Sequence, residues 1–200
     1  MANESRLEEL IERVRKAEED VSAEIERLVD EQKERFHYKV ESGKIRFEEA
    51  VALLQKRYRR TVWQYLRGAK PSYILSAPII YAMVIPIALL DLGMTIYQQI
   101  CFRIYGIPLV KRGEYIVIDR HMLAYLNAIE KLNCVYCGYG NGVMAYGREI
   151  TARTEQFWCP IKHAKRARGA HARTAKFLEY GDAEAWENEL AQKRRDWGDS

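Results

Sequence analysis

The residues best suited to chemistry are three cysteines and a histidine in the C-terminal half of the chain. Cys134, Cys137, Cys159 and His163 follow the pattern C-x2-C-x21-C-x3-H. A C-x2-C turn lets two sulfurs converge on one ion, and Gly138 permits the tight return of the chain that such a turn needs. Three thiolates and one imidazole in a tetrahedron are typical of a closed, structural zinc site. The spacing therefore predicts bound zinc, with iron as the second choice of metal.

Two other interpretations of these cysteines stay open. Cys134 and Cys137 could form a reduced, metal-free loop with Cys159 merely buried, or they could be a redox-active pair. The first forty residues are charged throughout and contain no signal peptide, so we expect the chain to stay in the cytoplasm. Thiols are kept reduced in that compartment. This expectation favours metal binding over disulfides.

Two resemblances accompany the cysteine pattern. The string from Cys134 to Tyr139 resembles the first knuckle of rubredoxins and zinc ribbons, but His163 stands where a second knuckle would supply a cysteine. That departure argues against one-electron iron chemistry. The strings NCVYCGYGNG and EQFWCPIKHA resemble a family of small, uncharacterised bacterial proteins, over about residues 73–180. This second resemblance implies a bacterial inner-membrane protein and no particular activity.

A second candidate site is a basic stripe after the cysteines. Pro160 suits the first turn of a helix, which we predict to continue to about residue 179. At about 100° per residue, five cations of that helix share one face: Lys162, Lys165, Arg166, Arg173 and Lys176. The face could be merely solvated, could contact anionic lipid headgroups, or could bind nucleic acid. Lipid is the preferred partner, because the spacing is not that of a C2H2 finger.

An apolar stretch at residues 71–102 places these sites near a membrane. It contains no Lys, Arg or His, and Asp91 is its one charge. About 20 apolar residues can cross a bilayer, yet basic residues flank both ends and basic flanks favour the cytoplasmic side. Pro86 should kink or end a helix, with a reversal near Asp91 and Gly93. We therefore expect a hydrophobic hairpin that enters and leaves by one face; a single span and a buried soluble helix pair are the alternatives.

Asp91 sets a condition on any of these arrangements. A carboxylate at bilayer depth costs about 3 kcal/mol on insertion scales. We therefore expect Asp91 to face protein, water or headgroups.

The sequence as a whole predicts a mainly α fold in four parts. Residues 1–70 should form a cytoplasmic antiparallel helical hairpin, with helices at about 5–40 and 44–67, whose surface suits a protein partner. Residues 71–105 are the membrane-inserted segment. Residues 106–181 should form a small helical metal-binding domain, with a short strand at 114–119, a helix at 121–132, a Gly-rich loop at 134–142 and helices beginning at 143 and 160. Residues 182–200 should form an amphipathic helix capped by Asp182.

These features predict a membrane-associated, zinc-binding scaffold or adaptor on the cytoplasmic face of the inner membrane. The net charge of +4 is concentrated after the apolar stretch, where anionic headgroups would lie. The alternatives are a membrane-bound enzyme, redox or lipid-modifying, that uses the Cys/His site, and a membrane-tethered nucleic-acid binder, which is the least favoured. The sequence lacks the H-E-x-x-H, G-x-S-x-G and phosphate-loop motifs, so it does not indicate those enzyme classes.

Overall fold

The computed structural model describes residues 2–36, 38–41, 44–47, 49–165 and 167–198. The chain divides into two compact units. The first contains Met1–Arg60 and Met122–Asn127, and the second contains Thr61–His121 and Ala128–Ser200. Most described residues are helical, so the predicted mainly α fold is confirmed.

The first unit joins two helices through a β-hairpin. Its elements are α1 (Ala2–Arg35), β1 (Tyr38–Glu41), β2 (Lys44–Phe47) and α2 (Glu49–Arg57). The strands are antiparallel, with Tyr38 opposite Phe47 and the two rings 5.6 Å apart. The predicted second helix at 44–67 is therefore wrong at its start, where β2 lies, and the helix begins only at Glu49. Apolar and charged residues alternate in both strands, and this period of two is the pattern of a strand.

The second unit begins with a capped short helix and a long apolar helical run. Thr61 and Gln64 form a capping box at the start of the first helix, and Pro71 occupies the first turn of the second. The elements are α3 (Val62–Gly68), α4 (Pro71–Ala82), α5 (Val84–Tyr97), a π-helical turn (Gln98–Phe102) and α6 (Arg103–Tyr105). From Pro71 to Tyr105 they form one helix, which is long and apolar enough to span a membrane.

The predicted hydrophobic hairpin is wrong. Asp91 and Gly93 lie inside α5, where the chain does not reverse. Pro86 lies in the first turn of α5, where the N–H groups have no helical partner in any case. A proline there does not break the helix.

A parallel helix pair forms the centre of the second unit. After Tyr105 the chain turns back through residues 106–121, which we call the return segment and which contain α7 (Arg112–Tyr115) and the start of a 3-10 turn (Arg120–Met122). The chain then enters α8 (Ala128–Trp158). Tyr81 bonds Asn133 and Tyr97 bonds Thr154, so α8 runs in the same direction as the apolar helix. The core lies at the C-terminal end of this pair and consists of Phe102, Ile107, Val110, Tyr146 and Ile150.

The Gly-rich stretch lies inside α8 and is not a loop. A Cβ atom on Gly142 would lie 2.8 Å from the Cα of Ile116, and one on Gly138 would lie 3.1 Å from the carbonyl oxygen of Val117. These glycines form a channel in the helix surface that the return segment occupies. The same segment contains the predicted strand at 114–119, which is also wrong: residues 112–115 are helical and 116–119 have no strand partner.

After α8 the chain forms a closed loop and a final helix. The N–H of Leu178 donates to the carbonyl of Pro160 and the N–H of Lys162 to that of Leu178, both at 2.8 Å, which closes the loop of residues 162–177. A 3-10 turn (Ala172–Lys176) and α9 (Ala183–Lys193) complete the unit. The predicted helix at 160–179 is wrong, because Gly169 adopts a left-handed φ of 72° that ends any helix. The predicted Asp182 cap is present and accepts from the N–H of Ala185 at 2.8 Å.

Candidate functional site

The four predicted zinc ligands lie in two separate places. Cys134 and Cys137 are on α8, while Cys159 and His163 follow its C-terminal end. At 1.5 Å per residue, α8 rises about 36 Å between Cys134 and Trp158, and a zinc–sulfur bond is about 2.3 Å. Within the described ranges no group of three or more His, Cys, Asp or Glu residues is placed to hold a metal ion. The two ligand pairs are therefore separated within one chain, because α8 is continuous from Cys134 to Trp158 and the predicted loop at 134–142 is part of it.

The cysteines themselves are reduced thiols in this structure. Cys134 and Cys101 are half-buried, and Cys137 and Cys159 are exposed. Cys134 and Cys137, three residues apart on α8, share one helix face. This pair remains the residue set that a redox function would use.

Asp91 faces protein rather than the open side of its helix. Its carboxylate accepts from the Nε and Nη2 atoms of Arg112 at 2.9 and 2.6 Å. The Tyr139 hydroxyl donates to the same carboxylate at 2.9 Å. Only 8% of Asp91 is exposed. The single charge of the apolar stretch is thus neutralised by the return segment and hydrogen-bonded by α8.

Gln98 makes a second polar contact between the apolar helix and its surroundings. Its buried amide accepts from the N–H of Val110 at 2.9 Å and donates to the carbonyl of Val110 at 3.2 Å. It also donates to the Tyr146 hydroxyl. The Gln98 amide thus bonds both the N–H and the carbonyl of Val110, as a neighbouring β-strand would, and holds the return segment on the apolar helix. Together with Asp91 they make one side of the apolar helix a specific protein contact.

The opposite side of the apolar helix has no such contact. We call it the bare apolar face, and it consists of Leu75, Ile79, Ile85, Leu89, Leu92, Ile96, Ile100 and Ile104, all exposed. Only 6% of the most apolar window of this helix is buried. Contiguous exposed apolar surface of this kind marks a protein or membrane contact site.

The predicted basic stripe is dispersed in the structure. Arg173 is 5% exposed and donates to Glu149 at 2.8 and 3.0 Å and to Gln156 at 3.1 Å. Lys162 pairs with Glu179, and Lys176 donates to the carbonyl of Gly198 at 2.7 Å. The interpretation as one lipid-facing helix is therefore wrong. Lys165 is exposed, and Arg166 lies outside the described residues.

Glu149 holds the closed loop on α8. Burial raises the pKa of Glu149, but hydrogen bonds from Arg153 and Arg173, with their charges, lower it by more. The net pKa lies below the ordinary range of a glutamate. Gln156 continues the contact and donates to the carbonyls of Lys193 and Asp196 at 3.1 and 2.6 Å, which fixes the segment after α9.

A histidine–glutamate pair near this loop was missed by the sequence analysis. His171 Nε2 lies 2.8 Å from Glu155 Oε2, and His171 Nδ1 lies 3.4 Å from the Thr174 hydroxyl. The three residues line a cavity of about 430 Å³ together with Arg148 and His163. No spacing signal connects position 155 on a helix with 171 on a loop, since their meeting depends on how the loop closes. An imidazole held by a carboxylate can accept or donate a proton, and it can equally tether a loop.

The lip of that cavity is cationic. A neighbouring depression of about 800 Å³ is lined by Lys162, His163, Lys165 and Arg168.

Comparison of the chain with protein-family models, with curated proteins and with solved structures found no match in any of the three.

Proposed function

We propose that the chain is a membrane-associated scaffold that inserts the bare apolar face into the cytoplasmic surface of a membrane. The observation that carries this proposal is the division of the helix at 71–105 into two sides. One side is bonded to protein through Asp91 and Gln98, and the other exposes aliphatic side chains along its full length.

Shallow insertion along the surface fits the structure better than a crossing of the bilayer. Arg112 is bonded to Asp91, so the return segment passes the middle of the helix at that level. Lys111 and Glu114 beside it keep 81% and 61% of their side chains exposed. The two side chains form an ion pair at 3.2 Å, and a helix across the bilayer would place this exposed pair in hydrocarbon, which is costly for charged side chains. Interfacial helices bury one face by about 5–10 Å and leave the other in water.

The adaptor part of the proposal rests on α1. This helix has 34 residues, and Val21, Ile25 and Leu28 along one side of it are 58%, 54% and 44% exposed. Residues at this spacing form one stripe, which suits a partner helix. Zinc is not part of the proposal, because its predicted ligands lie in two pairs that are separated by the length of α8.

Co-sedimentation with phospholipid vesicles tests the membrane role. We expect the wild-type chain to pellet with vesicles of phosphatidylcholine and phosphatidylglycerol, and the double variant Ile85→Glu/Leu92→Glu to stay in the supernatant. Val21→Glu is the matched control, because it places the same charge on exposed apolar surface of the first unit. Retention of vesicle binding in the double variant would contradict the proposal. So would loss of self-association, rather than of lipid binding, in the same variant.

One observation favours a second candidate, a membrane-bound enzyme. His171 and Glu155 line a cavity with a cationic lip, which suits proton transfer on an anionic substrate. Hydrolysis of p-nitrophenyl phosphate by wild type and His171→Gln tests it. If both proteins hydrolyse the ester no faster than buffer alone does, the chain is not an enzyme that acts on phosphate esters of this kind.

A further inference from the structure

A groove at the N-terminal end of the apolar helix is separate from the bare apolar face. It lies between α3, α4 and the first turns of α8 and has a volume of about 440 Å³. Its walls are mostly apolar and include Leu66, Ala69, Ile74, Ala77, Ile80 and Leu132. Small-molecule sites commonly have this size and this apolar character.

Two of the hydroxyl groups that line the groove already have hydrogen-bond partners. The Tyr81 hydroxyl donates to the Asn133 side chain, and the Ser76 hydroxyl donates to the carbonyl of Tyr73 at 3.1 Å. An apolar occupant would therefore leave these groups bonded. A polar occupant would have to replace those bonds, which makes it the weaker fit.

Aromatic and basic residues flank the groove-lining residues in the sequence. The Lys70 ammonium lies 5.7 Å from the centre of the Tyr73 ring, and Tyr73 is itself a wall of the groove. The Arg67 guanidinium lies 5.6 Å from the ring of Trp63, which is 66% exposed. No acidic residue occurs between Thr61 and Leu90. Exposed tryptophan and tyrosine next to basic residues are typical of the headgroup level of a membrane.

The groove is continuous with surface that faces outward from the helix. Ile74, Ile80 and Leu132 line it and are still 48%, 49% and 53% exposed. Its occupant can therefore enter sideways from the lipid layer. The Lys70 ammonium beside the Tyr73 wall and the apolar surface within the groove together match one kind of molecule, a lipid with an anionic headgroup.

We propose that this groove holds one acyl chain of an anionic phospholipid, with the headgroup against Arg67 and Lys70. This inference rests on the proposed membrane association and adds to it a site for a single lipid molecule. The protein would then select the lipid that it binds by charge, in addition to inserting an apolar surface.

Phospholipid retained by the detergent-purified full chain, measured by native mass spectrometry, tests the inference. Ala77→Phe fills the groove, and Ala88→Phe is the matched control, because Ala88 is an exposed alanine of α5 outside the groove. We expect Ala77→Phe to retain about tenfold less phospholipid, equivalent to about 1.4 kcal/mol of lost binding. The control should match wild type, and both variants should still pellet with vesicles.

A second variant leaves the groove itself unfilled. Arg67→Glu/Lys70→Glu changes only exposed side chains, and we expect it to lose the preference for phosphatidylglycerol over phosphatidylcholine among retained lipids. Equal retention by Ala77→Phe and Ala88→Phe would overturn the inference, as would a neutral lipid or free fatty acid as the retained molecule. Normal vesicle binding by the wild type with no retained lipid would overturn only the proposed lipid site in the groove. Failure of the wild type to bind vesicles would overturn the proposed function.

Discussion

Two carboxylates of the second unit, the buried Asp91 and the half-buried Glu149, are bonded to arginine. Asp91 is paired with Arg112, and Glu149 is paired with Arg153 and Arg173. A buried charge without a partner is strongly destabilising, whereas an apolar replacement of the whole pair is often tolerated. Arg112 and Arg173 come from different segments than their acids do, so these two pairs also fix one segment on another, whereas Arg153 lies on the same helix as Glu149.

Removal of Arg112 should be more harmful than removal of Asp91. Arg112→Leu leaves a carboxylate that is only 8% exposed, at a cost of about 3 kcal/mol. Asp91→Leu leaves an arginine whose side chain is already 47% exposed and can reach water, so we expect a cost below about 1.5 kcal/mol. Denaturant unfolding of both variants in detergent measures the difference. Equal costs would mean that Asp91 is hydrated in the folded protein.

Glu149→Gln should remove stability that depends on pH. The folded pKa of Glu149 is depressed, so its contribution is complete above the ordinary glutamate pKa of about 4.3 and disappears as pH falls through the folded value. We expect a loss of about 3 kcal/mol at pH 7, because Arg173 remains buried without a counter-charge. The difference from wild type should shrink below about pH 4.

The control for this pH series is Glu189→Gln. Glu189 and Lys193 form an exposed pair at 3.7 Å, and such pairs contribute about 0–1 kcal/mol. Denaturant midpoints of both variants between neutral and acidic pH give the comparison. A Glu149→Gln effect that does not change with pH would show that Glu149 acts by shape and not by charge.

Single residues were only partly predictable from the sequence. The cost of a charge in hydrocarbon was enough to expect Asp91 to face protein or water, but its partners Arg112 and Tyr139 lie 21 and 48 positions away. His171 and Glu155 were not paired at all. Such pairs depend on the path of the chain, which local spacing does not contain.

The elements were predictable where local chemistry decides them. The Asp182 cap and the helical character of 71–105 follow from the side chains present. The stretch at 134–142 was misread, because glycine is frequent both in loops and where another backbone must approach a helix closely. Only the position of residues 115–118 distinguishes the two, and that is a tertiary contact.

Gly142→Ala should separate these two roles of glycine. The new methyl group would lie 2.8 Å from backbone atoms of Tyr115 and Ile116, so the return segment must shift, at about 1–3 kcal/mol. Gly140→Ala is the matched control on the same helix, since its methyl group would meet only the side chain of Ile87 at 3.5 Å. There the gain in helix propensity, up to about 1 kcal/mol, should prevail. Thermal unfolding of both variants checks the prediction, and equal losses would refute it.

The whole molecule combines a long charged helix, an apolar helix with two unlike sides and a basic closed loop. The sequence indicated the order of these parts along the chain, and its apolar stretch predicted association with a membrane. It did not indicate that the two halves of the cysteine pattern are separated by the length of a helix. That separation follows from α8 being continuous, which depends on its packing against both the apolar helix and the return segment.

Chelation should therefore leave the helical structure intact. We expect the full chain, dialysed against EDTA, to keep its far-ultraviolet circular dichroism and its unfolding midpoint, because the four predicted ligands do not meet within one chain. Elemental analysis of the same sample gives the metal content. Stoichiometric zinc together with loss of helix on chelation would mean that ligands from two chains meet.

The parallel direction of the two long helices has a consequence for biosynthesis. The partner surface of Asp91 and Gln98 on α8 is completed about fifty residues after the apolar helix, and ribosomes add about 5–20 residues per second. For several seconds the nascent chain therefore displays an apolar helix with both of its sides uncovered. Under the proposed membrane role, a lipid surface close to the ribosome would occupy one side in that interval, and α8 would fold onto the side that is left.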